Sequence, residues 1–139
     1  MTDRTAGVLD IALGVLLVAA VATTFAPWLR SGESRRSSYE VVRTVDRLEL
    51  AGPVARRAGR VVWATLPLVA ALALLALARH RRAIAAGLAL WVATAEGLLA
   101  GGLRSAPESA DGAVGVALAL AAALGIVGVI TLIGARRTS

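Results

Sequence analysis

The stretch RSGESRRSSYEVVRTVDRLELAGPVARRAGR, residues 30–60, decides how the whole chain is read. It holds eight of the fifteen arginines, yet the residues on either side of it are almost purely apolar. Ile11 to Leu29 carries no charge before it, and Val61 to Ala78 carries none after it. Spanning a bilayer takes about 20 apolar residues at about 1.5 Å of helical rise each. Both runs approach that length, so residues 30–60 read as a polar island held at a membrane surface.

Composition supports the same class. A chain of 139 residues with 58% hydrophobic residues, 4% aromatics and a mean hydropathy of +0.75 lies outside the soluble globular range. The excess is alanine, leucine, valine and glycine, the residues that let helices pack inside lipid. Disulfides and thiolate metal sites are excluded, because there is no cysteine. Every basic residue is arginine. A GC-rich genome produces that bias, and guanidinium groups also hold phosphate or carboxylate in a two-pronged grip that ammonium groups do not offer.

Outward from the island, four spans are expected at about 7–29, 61–78, 83–103 and 112–135. The first resembles a signal peptide only loosely, since a signal has a shorter core, a denser basic start and a small-x-small cleavage site. Its end, Phe25, Pro27 and Trp28, suggests interfacial anchoring, which Tyr39 and Trp63 would share. Pro67 lies one or two turns into the second span; two outcomes are open, a kink in the helix or, so near an end, easy tolerance. Arg79-His80-Arg81-Arg82 is so short that spans two and three must form an antiparallel hairpin. His80 there reads as a solvated turn residue and not as a ligand.

Within the island, Ser37 and Glu40 have the spacing of a capping box, so a helix should begin near Ser38. Val41, Val42, Val45 and Leu48 fall on one arc of it, and Glu40, Arg43, Thr44 and Arg47 on the other. Glu49 interrupts the apolar edge, and Gly52-Pro53 ends the helix. Two placements are open: flat in the headgroup layer with its valines down, or packed on the protein's own helices. The charges also admit two readings. Glu40 with Arg43 and Arg43 with Asp46 are attractive pairs, Arg43 with Arg47 is repulsive, and the mixture is worth little. Alternatively Arg30, Arg35, Arg36, Arg43, Arg47, Arg56, Arg57 and Arg60 form a surface for an anionic group or an acidic partner, with Arg35-Arg36 and Arg56-Arg57 bracketing the helix.

Span three contains Glu96, the one ionisable side chain deep in a span. It shares a stripe with Ala86, Ala89, Ala93, Gly97 and Ala100, and Gly97 with Gly101 makes a GxxxG. Span four has its own small stripe of Ala117, Ala121, Gly125 and Gly128. Small stripes allow close backbone approach, so Glu96 should face another helix. A carboxyl there costs about 2–3 kcal/mol on insertion scales and is usually paired, protonated or functional. Three roles follow. Glu96 is a neutral or hydrogen-bonded acid that staples the bundle, or it pairs with Arg30 or Arg60 and docks the loop, or it is a proton-coupled carrier site.

Four spans put both termini on one side. The termini and the 79–82 turn carry six arginines and the other two loops nine, so the raw positive-inside count favours a cytoplasmic island. The density of the 79–82 turn and the Arg136-Arg137 pair directly after a span argue the reverse. The expectation is cytoplasmic termini and an external loop 30–60 in the cell membrane, although so even a count also permits dual topology.

The Phe-x-Pro-Trp close of the first span, followed by Ser-Gly-Glu-Ser-Arg-Arg-Ser-Ser-Tyr, resembles small four-span membrane proteins of high-GC actinobacteria. The resemblance covers mainly Phe25 to Leu50, favours an external first loop and implies no activity. Small multidrug-resistance transporters also have four spans and an intramembrane glutamate. Theirs lies in the first span, and they lack both a long arginine-rich loop and this chain's paucity of aromatics.

No His/Cys/Asp cluster, Gly-rich phosphate loop or nucleophile with a base is present, so neither an enzyme nor a cofactor or metal is expected. Nucleic acid is not expected at an external loop, and a basic pI alone does not argue for it. The sequence thus predicts an all-α four-transmembrane-helix bundle with an arginine-rich loop containing a short amphipathic helix between helices 1 and 2. Its expected role is that of a non-catalytic accessory or scaffold subunit of an envelope complex. Its partners would be membrane lipids and another integral membrane protein or a second copy of itself. The alternative is a small homo-oligomeric, proton-coupled transporter using Glu96.

Overall fold

A computed structural model describes residues 3–31, 34–47, 52–104 and 112–136. The order is α1 (Asp3–Thr24), β1 (Pro27–Ser31), β2 (Ser34–Ser37), α2 (Ser38–Arg47), α3 (Pro53–Ala78), α4 (Arg82–Arg104) and α5 (Gly112–Arg136). Four of the helices are long and apolar enough to cross a membrane: α1, α3, α4 and α5. At 22 to 26 residues each, they extend over roughly 33–39 Å, more than a hydrocarbon core of about 30 Å.

The four long helices run alternately up and down. α1 packs on α3 and α5, and α4 packs on the same two, so α1 and α4 face each other across the bundle diagonal. Leu13, Leu17 and Ala20 of α1 point inward with Leu66, Ala70 and Ala73 of α3, Ala85, Ala89 and Val92 of α4, and Val114, Ala117 and Leu124 of α5. Much of this interior is alanine. The bulky aliphatics Ile11, Val15, Val18, Leu68, Leu72, Leu98, Ile126 and Ile133 face outward. A water-soluble bundle of this size would bury its largest side chains and expose polar ones. Small residues inside and large apolar ones outside instead suit a lipid solvent, in which close backbone packing drives association. The chain thus has the composition and arrangement of a multi-pass membrane protein.

α4 and α5 make the most extensive contact, and their small stripes explain it. A Cβ on Gly97 would stand 3.6 Å from Ala121 Cβ, and one on Gly128 only 3.2 Å from Leu90. Ala117 and Ala121 are buried on the facing side. Gly101 and Gly125 belong to the same sequence stripes, yet no atom would lie within 4 Å of a Cβ at either. Hence Gly97, Ala117, Ala121 and Gly128 lie within the bundle's own packing, and Gly101 and Gly125 border open space.

The α3–α4 connection is a Schellman closure. His80 has φ of 55°, its N–H donates to Leu77 O at 2.9 Å, and Arg81 N–H donates to Ala76 O at 2.8 Å. This left-handed position usually takes glycine; histidine is among the residues that tolerate it. The lone histidine therefore has a backbone role in the turn.

The expected boundaries shift at two places. α1 ends at Thr24, five residues short of Leu29, because Pro27 cannot continue a helix and begins a strand instead. α3 begins at Pro53, with Gly52 as N-cap and proline in the first turn, so Arg56, Arg57 and Arg60 stand in its opening turns and not in a loop.

Candidate functional site: the capped end of the bundle and Glu96

The polar island is built on a two-stranded antiparallel hairpin that the sequence reading did not anticipate. Pro27 pairs with Ser37, Leu29 with Arg36, Arg30 with Arg35, and Ser31 with Ser34. The register slips between Pro27 and Leu29, which leaves Trp28 at an irregularity. Bulges of this kind re-aim a side chain, and Trp28 is completely buried. Its Nε1 donates to Thr23 O at 2.6 Å, a second donor to a carbonyl in the last turn of α1 that also accepts from Ala26 N–H at 3.0 Å.

α2 follows the hairpin directly. Glu40 Oε2 accepts from Ser37 N–H at 2.8 Å, the carboxylate half of a capping box. Ser38 is fully buried; its hydroxyl donates to Thr24 O and accepts from Trp63 Nε1 at 3.0 Å. Trp28 and Trp63 stack edge-on with ring centroids 5.9 Å apart. Tyr39 extends the aromatic layer with centroids 6.5 Å from Trp63 and 5.3 Å from Phe25. Together these contacts seat the hairpin and α2 on the bundle end formed by α1 and α3.

Of the two placements open to the amphipathic helix, α2 therefore takes the packed one. Tyr39 and Val42 pack on the core, whereas Glu40 and Arg43 are exposed. Trp28 and Trp63, read from the sequence as interfacial anchors, are buried at 0% and 3% exposure and face each other. Tyr39 is half-buried and Phe25 exposed. Aromatic edge-to-face packing and satisfied indole N–H groups explain why the tryptophans prefer this interior.

Glu96 lies beneath this layer. Its side chain is fully buried, eight residues from the end of α4, about 12 Å along the axis. It crosses the diagonal to α1, where Glu96 Oε1 lies 2.6 Å from Thr23 Oγ1. Thr23 Oγ1 is also 2.7 Å from Ala20 O in its own helix. Among the described residues, Glu96 Oε2 has no hydrogen-bond partner, and neither does the buried Thr131 Oγ1 near the opposite end. The partner of Glu96 is thus a threonine, and the loop docks through tryptophans and Ser38. The pairing of Glu96 with Arg30 falls on a side chain outside the described residues, and Arg60 is exposed.

At the opposite end, Asp10 of α1 and Arg82 of α4 form a forked ion pair. Arg82 Nε lies 3.0 Å from both carboxylate oxygens, and Arg82 Nη2 lies 2.7 Å from Oδ2. Both side chains are partly buried. Glu96–Thr23 and Asp10–Arg82 therefore cross-link the same diagonal pair of helices at two depths. Sequence reasoning missed Asp10 and Thr23. Asp10 was absorbed into the border of a span, and its one available signal was being an acid there with arginine one hairpin away.

The arginines occupy defined backbone positions: Arg30 in β1, Arg35 and Arg36 in β2, Arg43 and Arg47 in α2, Arg56, Arg57 and Arg60 in α3. Arg43, Arg57 and Arg60 are exposed. The side chains of Arg30, Arg35, Arg36, Arg47 and Arg56, and the residues Leu48 to Ala51, lie outside the described residues. Two apolar grooves also open on the outer surface of the bundle, one of about 540 Å³ lined by Ile11, Val15, Val18 and Leu74, the other beside Leu72, Leu75 and Ile84. No group of three or more potential metal ligands occurs among the described residues.

No family model, no curated protein and no solved structure matches this chain.

Proposed function

We propose that this chain is a non-catalytic integral membrane protein of the cell envelope, an accessory or scaffold subunit of a larger membrane complex. The observation that carries the reading is the two-sidedness of the cap. One side of α2, with Ser38, Tyr39 and Val42, is fixed to the bundle, and the other presents Glu40 and Arg43 to the surroundings. Holding a charged helix rigidly on a bundle end lowers the ordering cost of recognition, which suits contact with a partner's acidic surface or with anionic headgroups. We place the termini in the cytoplasm and loop 30–60 outside.

Charge reversal on the presented face tests this reading. Arg43→Glu together with Arg57→Glu should leave the protein folded and abolish co-purification of the partner from native membranes. Unchanged co-purification would exclude the loop as the contact surface.

A second reading, the proton-coupled carrier, is favoured by one observation, the unpaired Oε2 of Glu96. The two separate by substitution. Glu96→Gln abolishes carrier activity and leaves a scaffold assembled.

A further inference from the structure

Thr23 Oγ1 stands at hydrogen-bonding distance from two oxygens, Ala20 O at 2.7 Å and Glu96 Oε1 at 2.6 Å. A threonine hydroxyl has a single proton to donate. The carbonyl can only accept, and so can an ionised carboxylate. With an ionised Glu96, one of these two contacts would be a close approach of two oxygens with no proton between them. One additional proton satisfies both: Glu96 donates to Thr23 Oγ1, and Thr23 donates to Ala20 O. The second link is the usual bond of a helical threonine to its own preceding turn, and Thr24 makes the same bond to Val21 O at 2.7 Å.

The surroundings agree. Glu96 Oε2 is buried with no hydrogen-bond donor among the described residues, a position that a neutral carbonyl oxygen tolerates and a charged one does not. Among the described residues, the charged groups of the packed elements lie elsewhere. On α1 they are Asp3, Arg4 and Asp10, toward the opposite end; on α5, Arg136 lies at that end and no ionisable residue precedes it from Gly112 onward. On α4 itself Arg82 is engaged by Asp10. At the capped end, Arg57 and Arg60 of α3 and Glu40 and Arg43 of α2 are exposed. The side chains of hairpin residues Arg30, Arg35 and Arg36, of Asp46 and Arg47 in α2, of Arg56 in α3 and of Arg104 lie outside the described residues.

We infer that Glu96 and Thr23 form a proton-binding site, in which Glu96 holds one proton at neutral pH and passes its hydrogen bond through Thr23 to the Ala20 carbonyl. The diagonal tie between α1 and α4 at the capped end is then a proton-loaded one. Removing the proton leaves the single Thr23 hydroxyl proton for two acceptors, Glu96 Oε1 and Ala20 O, so one of the two links is lost. This site does not depend on the accessory role, and it holds for a scaffold as for a carrier.

The test is infrared difference spectroscopy of the full chain in lipid vesicles at neutral pH, wild type against Glu96→Gln. The wild type should show the carbonyl band of a protonated carboxylic acid, shifted by exchange into heavy water, and Glu96→Gln should lose it. Identical spectra in that region would overturn the proposal. Should Glu96→Gln fail to fold, Thr23→Val decides instead. The band should move to higher frequency as the acid loses its acceptor, and Thr23→Ser should restore it. A wild type with no such band, or a band indifferent to Thr23→Val, would equally overturn the proposal.

Discussion

Trp63 Nε1 of α3 donates to Ser38 Oγ at the start of α2 over 3.0 Å, and Ser38 passes the bond on to Thr24 O of α1. This relay joins three elements through one buried hydroxyl. Removing it strands an indole N–H and a carbonyl inside the cap. Ser38→Ala should therefore cost on the order of 1–3 kcal/mol. Thermal unfolding in detergent measures that loss, and trypsin should cleave the arginine-rich loop faster than in the wild type.

Asp10 and Arg82 make the equivalent tie at the other end. Forked arginine–carboxylate bonds are stronger than single contacts, but partial exposure screens them. Asp10→Asn should destabilise the bundle by about 1 kcal/mol, read as a lower midpoint in a detergent unfolding titration. Swapping the pair, Asp10→Arg with Arg82→Asp, should recover part of the loss if the two residues act on each other.

Two glycines of one stripe should behave differently. A Cβ on Gly128 would meet Leu90 at 3.2 Å, whereas one on Gly125 would meet nothing within 4 Å. Gly128→Leu should cost about 1–3 kcal/mol by overpacking, and Gly125→Leu should fold like the wild type. Thermal unfolding of the two purified variants makes the comparison. A partner lost from Gly125→Leu but kept by the wild type would place that stripe at an intermolecular contact.

His80 holds a left-handed backbone position at the α3–α4 turn. Side chains with a Cβ are strained there, β-branched ones most of all. His80→Val should lose about 1–2 kcal/mol, while His80→Gly should equal or exceed the wild type by less than about 1 kcal/mol. Unfolding midpoints of the two variants order them.

The four long helices were legible because charge-free runs of membrane-spanning length tolerate few alternatives. The start of α2 was legible too, since the Ser37–Glu40 spacing has a local mechanism that works without knowledge of the rest of the fold. The hairpin was not. Leu29 to Ser37 has neither the alternation nor the β-branched residues that mark a strand, and arginine and serine dominate it. Ser31-Gly32-Glu33-Ser34 did offer one signal, glycine opening a two-residue connection. Trp28 was misplaced for the same reason. Read as the end of a helix it faces the interface, and read as a residue at a strand irregularity it turns inward. The Glu96–Thr23 tie was half visible. Helical periodicity turned Glu96 toward another helix, but which helix lay opposite depended on the bundle's diagonal, a long-range property no local pattern encodes.

The most direct test of the accessory role is a tagged pull-down from native membranes in mild detergent, read by mass spectrometry. The account predicts a larger integral membrane protein recovered in stoichiometric amount, and its loss on charge reversal at Arg43 and Arg57. Recovery of this chain alone, as a monomer or small homo-oligomer, would contradict that role and bring the carrier reading of Glu96 forward.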